Sequence, residues 1–392
     1  MSTDTTLTRE TLPEWLRARA ERHGAAAALR DKRRGLWHSE TWKQLEASVA
    51  ALAAGLSARG FLPGDRLLID ADPSPAVFRL ALAAQWAGGA VVTRDPGTDA
   101  HDAEGPRFAF VADDAARILL RATLAGQALS LGIVRDGDDL PEAPGPWLSL
   151  EELARIGGAA APLAPVATTA SVALIRPRSE AITPSGGGAS AADGARERLT
   201  HADIVADARR LLAAGGIGAG KEALAARDVP NAAQLGSVLG AWLVAGLTLS
   251  FVETAETEDQ DRRELGPHVV FGRAGGYTDL AARTNEALPQ GRGLWTRWLS
   301  SALDGSGAAS LARRLLVSRL REVVGFGRLE RAIVLDDAAA ARAGLQRLFG
   351  VAPFEWPSRA GSRLAPAPPA LEALPESSLL GGLGAASRSD LA

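Results

Sequence analysis

Residues 60–92 read GFLPGDRLLIDADPSPAVFRLALAAQWAGGAVV, and this stretch decides the fold class. The Pro-Gly-Asp at 63–65 predicts a turn, and the apolar run at 67–69 predicts a buried strand. A helix is expected over 76–86, because prolines and a serine precede it and two glycines follow it. The apolar run at 90–92 predicts a second strand. A strand, a helix and a strand in this order form a β-α-β unit, which requires a parallel sheet covered by helices.

The sequence around this unit extends the same sheet. Upstream, apolar residues at helical spacing predict an amphipathic helix over 44–59. Downstream, apolar runs at 108–111 and 131–134 predict two further strands. We therefore expect a first α/β subdomain over residues 1–170, which ends in an Ala-, Pro- and Gly-rich connector at 157–170.

A second α/β subdomain is expected over residues 171–355. It opens with a predicted strand at 171–175, and a helix is predicted over 201–213 with Thr200 as its N-cap. Apolar runs predict strands of a second sheet at 247–252, 269–271 and 332–335. The final stretch, 356–392, is rich in Pro, Ala, Gly and Ser, so we expect a flexible low-complexity tail there.

The composition excludes several classes of protein. At roughly 150 residues per domain, 392 residues indicate two or three domains. An apolar fraction of 46% and a charged fraction of 23% exclude wholesale disorder. The chain has no cysteine, which excludes disulfides, thiolate metal sites and cysteine nucleophiles. A formal net charge of −3 gives no general attraction to nucleic acid, so we expect no nucleic-acid partner.

Two segments bear on the location of the protein. The N-terminal segment is polar and lacks the apolar core of a secretory signal. The longest uncharged run, 229–252, has the length of a membrane span but contains Pro230, Asn231 and several glycines. We interpret it as a buried helix over 234–245, a turn at Gly246 and a strand. The sequence thus predicts a soluble, cytoplasmic protein without a membrane span.

A further set of segments is recognisable by its order and spacing. These are Thr11-Leu12-Pro13, Ala28-Leu29-Arg30, Trp42, 60–65 (GFLPGD), 82–92 (LAAQWAGGAVV), 261–267 (DRRELGP) and 315–332, which ends in GFGRLERA. Together they resemble the adenylate-forming (AMP-binding) acyl-CoA ligases, and most closely the long-chain fatty acyl-CoA synthetases, over residues 11–350. The resemblance implies an α/β fold of two stacked parallel-sheet subdomains with flanking helices, like the large N-terminal domain of those ligases. We expect the family's small C-terminal lid domain, which brings a catalytic lysine, to be absent from this sequence.

Family members activate a carboxylate with ATP and pass the acyl group to coenzyme A, and a Gly/Ser/Thr-rich loop with a lysine holds the phosphates. Residues 183–201 (TPSGGGASAADGARERLTH) stand where that loop should be. By resemblance, the candidate nucleotide-binding residues are Ser185, Gly186, Gly187, Gly188, Thr200 and His201. The loop lacks the lysine, and Asp193 places a negative charge near its expected position, where like charge costs free energy beside a triphosphate. A relic surface loop is therefore favoured over ATP binding, with a structural role for His201.

The family's second motif is an aromatic-Gly-x-Thr-Glu segment at a strand end, which supplies groups at the nucleotide and at Mg²⁺. This chain has FEWPSR at 354–359 instead. Glu355 is one acidic residue in the corresponding neighbourhood, without the threonine or the glycine, and a Mg²⁺ bridge to phosphate needs placed oxygen ligands. Glu355 is therefore a candidate metal ligand, with an ordinary boundary residue as the alternative. ATP and Mg²⁺ are expected as cofactors only if the chain is active.

Three other features have a functional and a structural interpretation. GGIGAGK at 215–221 fits a phosphate-binding loop, but Glu222 stands where Ser or Thr is needed and a helix precedes it, so a helix end is favoured. Asp336-Asp337 follows a predicted strand, where parallel sheets place ligands, and a helix cap is favoured over a metal site. A basic amphipathic helix is predicted over 311–324. Its region carries Arg313, Arg314, Arg319, Arg321, Arg328 and Arg331, which indicate either a solvated helix face or a contact with an anionic ligand, an acidic partner or a membrane surface.

Two functions are compatible with these observations. The first is a catalytically impaired homologue of the AMP-forming long-chain acyl-CoA ligases, a pseudoenzyme without catalytic residues. It would act as a binding or regulatory protein, with a fatty acyl ligand or an active ligase relative as its partner. The alternative is an active ATP-dependent fatty acid–CoA ligase that uses a lid domain supplied in trans. The missing lysine, Thr-Glu pair and lid favour the first function, and the intact scaffold and Gly-rich loop favour the second.

Overall fold

The computed structural model describes residues 11–93, 107–113, 116–118, 120, 129–135, 146–177, 196–289, 303 and 311–356. The strands are β1 (Ala27–Arg33), β2 (Leu36–Thr41), β3 (Arg66–Asp70), β4 (Ala90–Thr93), β5 (Phe108–Val111), β6 (Leu131–Val134), β7 (Trp147–Ser149), β8 (Val172–Pro177), β9 (Arg196–Thr200), β10 (Glu222–Ala225), β11 (Thr248–Phe251), β12 (Val269–Gly272), β13 (Arg331–Val334) and β14 (Pro353–Glu355). They form two seven-stranded sheets.

The principal helices of the described residues lie between the sheets and on their outer faces. They are α1 (Leu12–His23), α2 (Trp42–Ala58), α3 (Pro75–Trp86), α4 (Leu150–Ala159), α5 (His201–Gly215), α6 (231–245), α7 (Glu258–Leu265), α8 (Ala274–Ala287), α9 (Leu311–Val323) and α10 (Ala339–Phe349). Helix α6 is composite, with an α-helical turn at Asn231–Ala233, a π-helical turn at Gln234–Val238 and an α-helix at Leu239–Ala245.

Sheet I has the strand order β7-β6-β5-β3-β4-β8-β9, and sheet II has the order β14-β13-β12-β10-β11-β1-β2. In each sheet the neighbouring strands are parallel except at one edge, where β8–β9 and β1–β2 are antiparallel hairpins. In sheet I, Leu67 of β3 lies opposite Val91 of β4 and Phe108 of β5. The β-α-β unit predicted over 60–92 is therefore confirmed, and it forms the centre of its sheet. The predicted α/β class with two parallel-dominated sheets is confirmed as well.

The two sheets exchange strands across residue 170. Hairpin β1–β2, from the first part of the chain, joins sheet II because β1 pairs with β11, with Leu29 opposite Leu249. Strands β8 and β9 join sheet I because β8 pairs with β4, with Val91 opposite Leu174. Each half of the chain thus contributes strands to the other half's sheet.

The main hydrophobic core lies between the sheets and is continuous with both. Helices α2, α3 and α6 fill this layer, and the aromatic rings at its centre contact one another. Trp42 of α2 stacks on Trp242 of α6 with ring centroids 5.1 Å apart, and Phe78 of α3 meets Trp242 edge-on at 5.8 Å. The indole Nε1 of Trp242 donates to the carbonyl of Ala28 on β1, 3.0 Å away, so the buried polar atom is paired. Because one core carries both sheets, the two subdomains pack as one layered unit.

Helix α6 is buried, as the sequence predicts, and Gly246 ends it in the left-handed conformation before β11 begins. Two glycines on α6 permit close approach. A Cβ at Gly240 would lie 2.8 Å from Ile204 Cγ2 of α5, and a Cβ at Gly236 would lie 2.9 Å from the Arg176 guanidinium of β8. None of the helices in the described part of the chain is long and apolar enough to cross a bilayer.

Several helix C-termini in the structure are closed by an arginine from elsewhere in the chain. Arg19 of α1 donates to the carbonyls of Leu243 and Val244 at the end of α6. Arg328 donates to the last carbonyls of α7, and Arg331 donates to the last carbonyl of α5. The terminal carbonyls of a helix lack partners within the helix and carry its negative dipole end, so a guanidinium satisfies both requirements. Two arginines of the basic cluster predicted from the sequence, Arg328 and Arg331, thus have a structural role.

Candidate functional site

Strand-end loops of sheet II meet at its carboxyl edge, where parallel sheets place their ligands. Each of four strands there is followed within a few residues by a charged side chain, namely Asp228 after β10, Glu253 after β11, Arg273 after β12 and Asp336 after β13. Of these four residues, only Asp336 was predicted from the sequence. The signal for the others is the repeated pattern of a short apolar strand followed by a charged residue.

Asp228 and Asp336 bind the N-terminus of α8. Asp336 Oδ1 accepts from the main-chain N–H of Ala274 at 2.7 Å. Asp228 lies beside the same helix start, where the main-chain N–H groups of Arg273 and Gly276 favour its charged form, and a Cβ at Gly276 would lie only 2.5 Å from its Oδ2. The protein's own carboxylates therefore occupy the positive end of this helix, which would otherwise attract an external anion.

Burial and mutual repulsion shape the electrostatics of this acidic edge. Burial raises the pKa of Asp228, and the charge of Asp336 raises it further, although hydrogen bonds from the Arg273 and Gly276 N–H groups oppose the shift. Burial also raises the pKa of Glu258 on α7, with Arg262 opposing it and Asp228 adding to it. The charge of Asp336 thus acts on Asp228, and the charge of Asp228 acts on Glu258, at the end of β10.

The two described arginines that follow these strands, Arg227 and Arg273, each contact a carboxylate. Arg273 Nε lies 3.2 Å from Asp336 Oδ2. Arg227 lies 3.4 Å from Asp72 Oδ2 in the loop after β3 and donates to the Glu253 carbonyl, so it links the edge of sheet II to sheet I. Asp337 Oδ1 accepts from the N–H of Ala339 at 2.8 Å, at the start of α10. Asp336 and Asp337 thus accept from the first N–H groups of two different helices, α8 and α10, although the N-cap residues of these helices are Arg273 and Ala338. Within the described residues no group of three or more His, Asp or Glu side chains could hold a metal ion.

The predicted phosphate loop lies only partly within the described residues. Ser185, Gly186, Gly187 and Gly188 lie outside them. Thr200 and His201 lie where β9 gives way to α5. The Thr200 hydroxyl accepts from the Asp203 N–H at 3.1 Å, and the Thr200 main-chain N–H donates to Asp203 Oδ2 at 2.9 Å, which together form a capping box. Thr200 is thus the N-cap that the sequence predicts, and its hydroxyl is engaged in that role.

His201 is fully buried beneath the start of α1. Its Nδ1 accepts from the main-chain N–H of Leu12 at 3.3 Å, and its Nε2 is buried with no hydrogen-bond partner in the described structure. Burial lowers the pKa of His201 to about 4, so the ring is neutral at pH 7. A neutral, buried imidazole contributes no positive charge to a phosphate group.

Glu355 lies on β14, the last strand of sheet II in the described part of the chain, opposite Val334 of β13. Its side chain is exposed. The next residue, Trp356, continues the pairing by donating its N–H to the Val334 carbonyl at 2.8 Å. The role of Glu355 as a metal ligand stays a prediction.

Lys32 and Lys221 are both committed to carboxylates. Lys221, the last residue of GGIGAGK, lies 2.6 Å from Glu330, and the glycines before it end α5 with Gly216 in the left-handed conformation. The helix-end interpretation of 215–221 is confirmed, and Lys221 stands at the amino edge of β10, away from the carboxyl edge. Lys32 is buried and lies 2.9 Å from Asp261 and 2.6 Å from Glu264. Hydrogen bonds to these carboxylates raise the pKa of Lys32. The pKa of Glu264 is lowered to about 2, and its hydrogen bond with Lys32 is the largest cause.

This chain is similar to known proteins in part of its sequence and in its fold. The family described as "AMP-binding enzyme" matches residues 16–142. No curated protein matches the sequence. Three solved structures are similar to this chain. A long-chain-fatty-acid-CoA ligase from Archaeoglobus fulgidus has 14% identity and a TM-score of 0.63, and the match covers 87% of this chain and 61% of that chain. The A domain of carboxylic acid reductase from Segniliparus rugosus, with AMP and a co-purified carboxylic acid, has 14% identity and a TM-score of 0.65, with 89% and 60% covered, and ATP-bound MatB from Rhodopseudomonas palustris has 17% identity and a TM-score of 0.60, with 89% and 59% covered.

The likeness at this level of identity establishes the fold. Together with the family match, it confirms the predicted resemblance to the adenylate-forming superfamily and to its long-chain fatty acid–CoA ligases. The chain spans about three fifths of the length of these three proteins.

Proposed function

We propose that this chain is a catalytically impaired homologue of the AMP-forming long-chain acyl-CoA ligases and acts as a binding or regulatory protein. The observation that carries the proposal is the acidic carboxyl edge of sheet II. There Asp228 and Asp336 occupy the N-terminus of α8, and the arginines beside them, Arg227 and Arg273, are paired with carboxylates.

A nucleoside triphosphate carries several negative charges and needs cations or free N–H groups to offset them. The edge of sheet II offers it repulsion from Asp228 and Asp336 instead. The sequence of 183–195 adds Asp193 and no lysine. The residues present therefore fit ATP poorly. Among the described residues, no group of three or more His, Asp or Glu side chains could hold a Mg²⁺ ion.

The partner in this proposal is a fatty acyl ligand or an active ligase relative. The A domain from Segniliparus rugosus, which has the same fold, was solved with a co-purified carboxylic acid. Retention of an acyl site without a nucleotide site would let this chain carry or sense the acid. A cytoplasmic location stays a prediction.

An active ATP-dependent ligase that uses a lid domain supplied in trans is the second candidate. The scaffold favours it, because 87% of the chain superposes on the Archaeoglobus fulgidus ligase with a TM-score of 0.63. Under this alternative, nucleotide binding would require the residues at 178–195 to supply N–H donors.

Calorimetry with ATP·Mg²⁺ at millimolar concentration tests the proposal, followed by an assay of fatty-acid-dependent pyrophosphate release. We expect neither binding nor release. The double variant Asp228→Asn, Asp336→Asn keeps acceptor oxygens at the N-terminus of α8 but removes both charges, so it should bind ATP more tightly than the natural chain does. Asp337→Asn is the matched control and should leave ATP binding unchanged. Robust turnover by the purified natural chain would overturn the impaired function and support the alternative.

A further inference from the structure

Four buried oxygen atoms without partners lie around the ends of β3 and β4. In the described part of the chain, eight buried side-chain polar atoms have no hydrogen-bond partner, and four of them are Ser74 Oγ, Thr93 Oγ1, Asn231 Oδ1 and Gln234 Oε1. Each such atom costs free energy, because it has given up its bond to water without gaining another. A group of them in one place indicates a ligand or a water molecule that donates to them.

The start of α6 brings three of these oxygens together. Asn231 Nδ2 donates to the carbonyl of Ala71, directly after β3, and Ser74 follows three residues later as the N-cap of α3. Gln234 lies one turn after Asn231 and therefore on the same face of α6. It begins the π-helical turn, a rare form of helix that occurs mostly at functional sites.

Thr93 lies under the same turn of α6. It ends β4, and its side chain shares the inner face of sheet I with that of Val91, two residues earlier. The register of β4 with β8 continues to Thr93 beside Arg176. A Cβ at Gly236 would lie 2.9 Å from the Arg176 guanidinium, so the turn at 234–238 packs directly on this part of the sheet.

The free amide oxygens require a group that donates a hydrogen bond. The amide nitrogens of Asn231 and Gln234 already donate to main-chain carbonyls, which fixes the two oxygens as the acceptors that remain. Arg176 is paired with Glu197 at 2.8 Å, so it offers no net charge to balance an ionic group buried beside it. A neutral donor, such as a hydroxyl, therefore fits these oxygens best.

We propose that the acyl ligand of this protein carries a hydroxyl group on its chain and that this hydroxyl binds at the start of α6. It would donate to Gln234 Oε1 and accept from the Thr93 hydroxyl, since both side chains are fully buried, and a bridging water would connect it to Asn231 and Ser74. The inference rests on the proposed function and narrows its ligand from fatty acids in general to hydroxylated ones. A plain alkyl chain would leave both oxygens unpaired, and a site built for a hydroxyl rejects an analogue that lacks it.

Calorimetry of the full chain with three acids tests the inference. The acids are palmitate and the two hydroxypalmitates that carry their hydroxyl at the third carbon or at the terminal carbon. At least one hydroxypalmitate should bind about tenfold more tightly than palmitate, because palmitate leaves a buried acceptor unpaired. Palmitate that binds as tightly as both hydroxypalmitates, or more tightly, would overturn the inference and leave the proposed acyl binding standing. Binding of none of the three acids would overturn both.

Two variants and a matched control locate the hydroxyl. Gln234→Met removes the acceptor from a side chain of similar size, and it should reduce the preference for the hydroxypalmitate to less than about threefold. The control is Gln85→Met, which should leave the preference unchanged. Gln85 is also fully buried, its Nε2 donates to the Ala173 carbonyl at 3.1 Å and its Oε1 lacks a partner, but it lies about 16 Å along α3 from Ser74.

Thr93→Val keeps the shape of the side chain without its hydroxyl and should reduce the preference as well. It keeps the test decisive if thermal unfolding shows that Gln234→Met does not fold. An unchanged preference in the folded variants would assign the four oxygens to ordered water alone, and an equal reduction in Gln85→Met would show that the effect is not local to α6. Either result would overturn the inference.

Discussion

The main-chain N–H of Leu12 donates to Nδ1 of His201 across 3.3 Å, although the two residues are 189 positions apart in the chain. Leu12 is the first residue of α1 and His201 is the first residue of α5, so the bond ties the starts of two helices together. The acceptor must be a neutral imidazole nitrogen, because a protonated ring has donors at both nitrogens. The contact therefore depends on the protonation state of His201.

This dependence predicts a loss of stability in mild acid. Burial lowers the pKa of His201 from 6.5 to about 4, so below pH 6.5 the unfolded chain takes up a proton that the folded chain does not. The contribution of His201 to the free energy of unfolding is thus fully present above pH 6.5. It decreases as the pH falls toward 4, by an amount on the order of 3 kcal/mol.

Urea unfolding of the natural chain and of His201→Gln, measured from pH 4 to pH 8, checks the prediction. Glutamine can keep an acceptor oxygen for the Leu12 N–H but does not titrate. The variant should therefore have a flatter dependence of stability on pH below 6.5. Parallel curves for the two proteins would show that His201 is not the titrating group.

The buried ion pair of Lys32 with Asp261 predicts a large effect from a single substitution. Asp261 is fully buried and also accepts from the Glu253 N–H at 3.0 Å and from the Thr257 hydroxyl at 2.9 Å. Lys32→Met removes the cation and leaves a carboxylate buried, which should lower the free energy of unfolding by clearly more than the same substitution in a surface ion pair does.

Lys221→Met is the matched control for this substitution. It removes the same group from the half-exposed pair with Glu330, which should cost less than about 1 kcal/mol. Chemical denaturation of the two variants beside the natural chain gives both values. A loss in Lys32→Met no greater than that in Lys221→Met would contradict the structural role assigned to Lys32.

The arginine that closes α6 predicts a difference between two neighbouring positions on α1. Arg19 donates to the carbonyls of Leu243 and Val244, and burial lowers the pKa of its guanidinium. Arg19→Met leaves both carbonyls without this donor at the end of the central helix, so a loss of about 1.5–3 kcal/mol is expected. Arg17→Met removes a guanidinium that lies 3.7 Å from Glu46 at the surface, and it should cost less than about 1 kcal/mol. Similar midpoints in thermal unfolding for the two variants would refute the capping role.

Local signals in the sequence predicted the elements well, because they depend on near neighbours in the chain. The β-α-β unit over 60–92 and the Thr200 cap are of this kind, since turn residues and cap hydroxyls act within a few positions. The exchange of β1–β2 and β8–β9 between sheets was not predicted. Pairing between Leu29 and Leu249 depends on packing across 220 residues of chain, which no local pattern records.

The candidate site was predicted in part for the same reason. A helix cap was favoured over a metal site for Asp336-Asp337, which follows a predicted strand. That Asp228 shares the N-terminus of α8 with Asp336 was not predicted, because two strand ends meet there only in the folded sheet. The arginine caps were missed as well, since the Arg19 guanidinium and its carbonyl partner Leu243 are 224 positions apart.

Two adjacent glycines at the end of α4 give the last prediction. The sequence predicts a connector from residue 157, but α4 continues to Ala159, and its Gly157 lies against the backbone of α2. A Cβ at Gly157 would lie 1.7 Å from the main-chain carbonyl oxygen of Ala51, whereas a Cβ at Gly158 would meet nothing within 4 Å. Gly157→Ala should therefore separate the two helices and lower the free energy of unfolding by several kcal/mol, as overpacking of a close contact does. Gly158→Ala should be neutral or stabilise the protein by up to about 1 kcal/mol, because alanine favours a helix over glycine. Chemical denaturation of the pair decides the matter, since equal effects at the two positions would mean that α4 does not pack on α2 through Gly157.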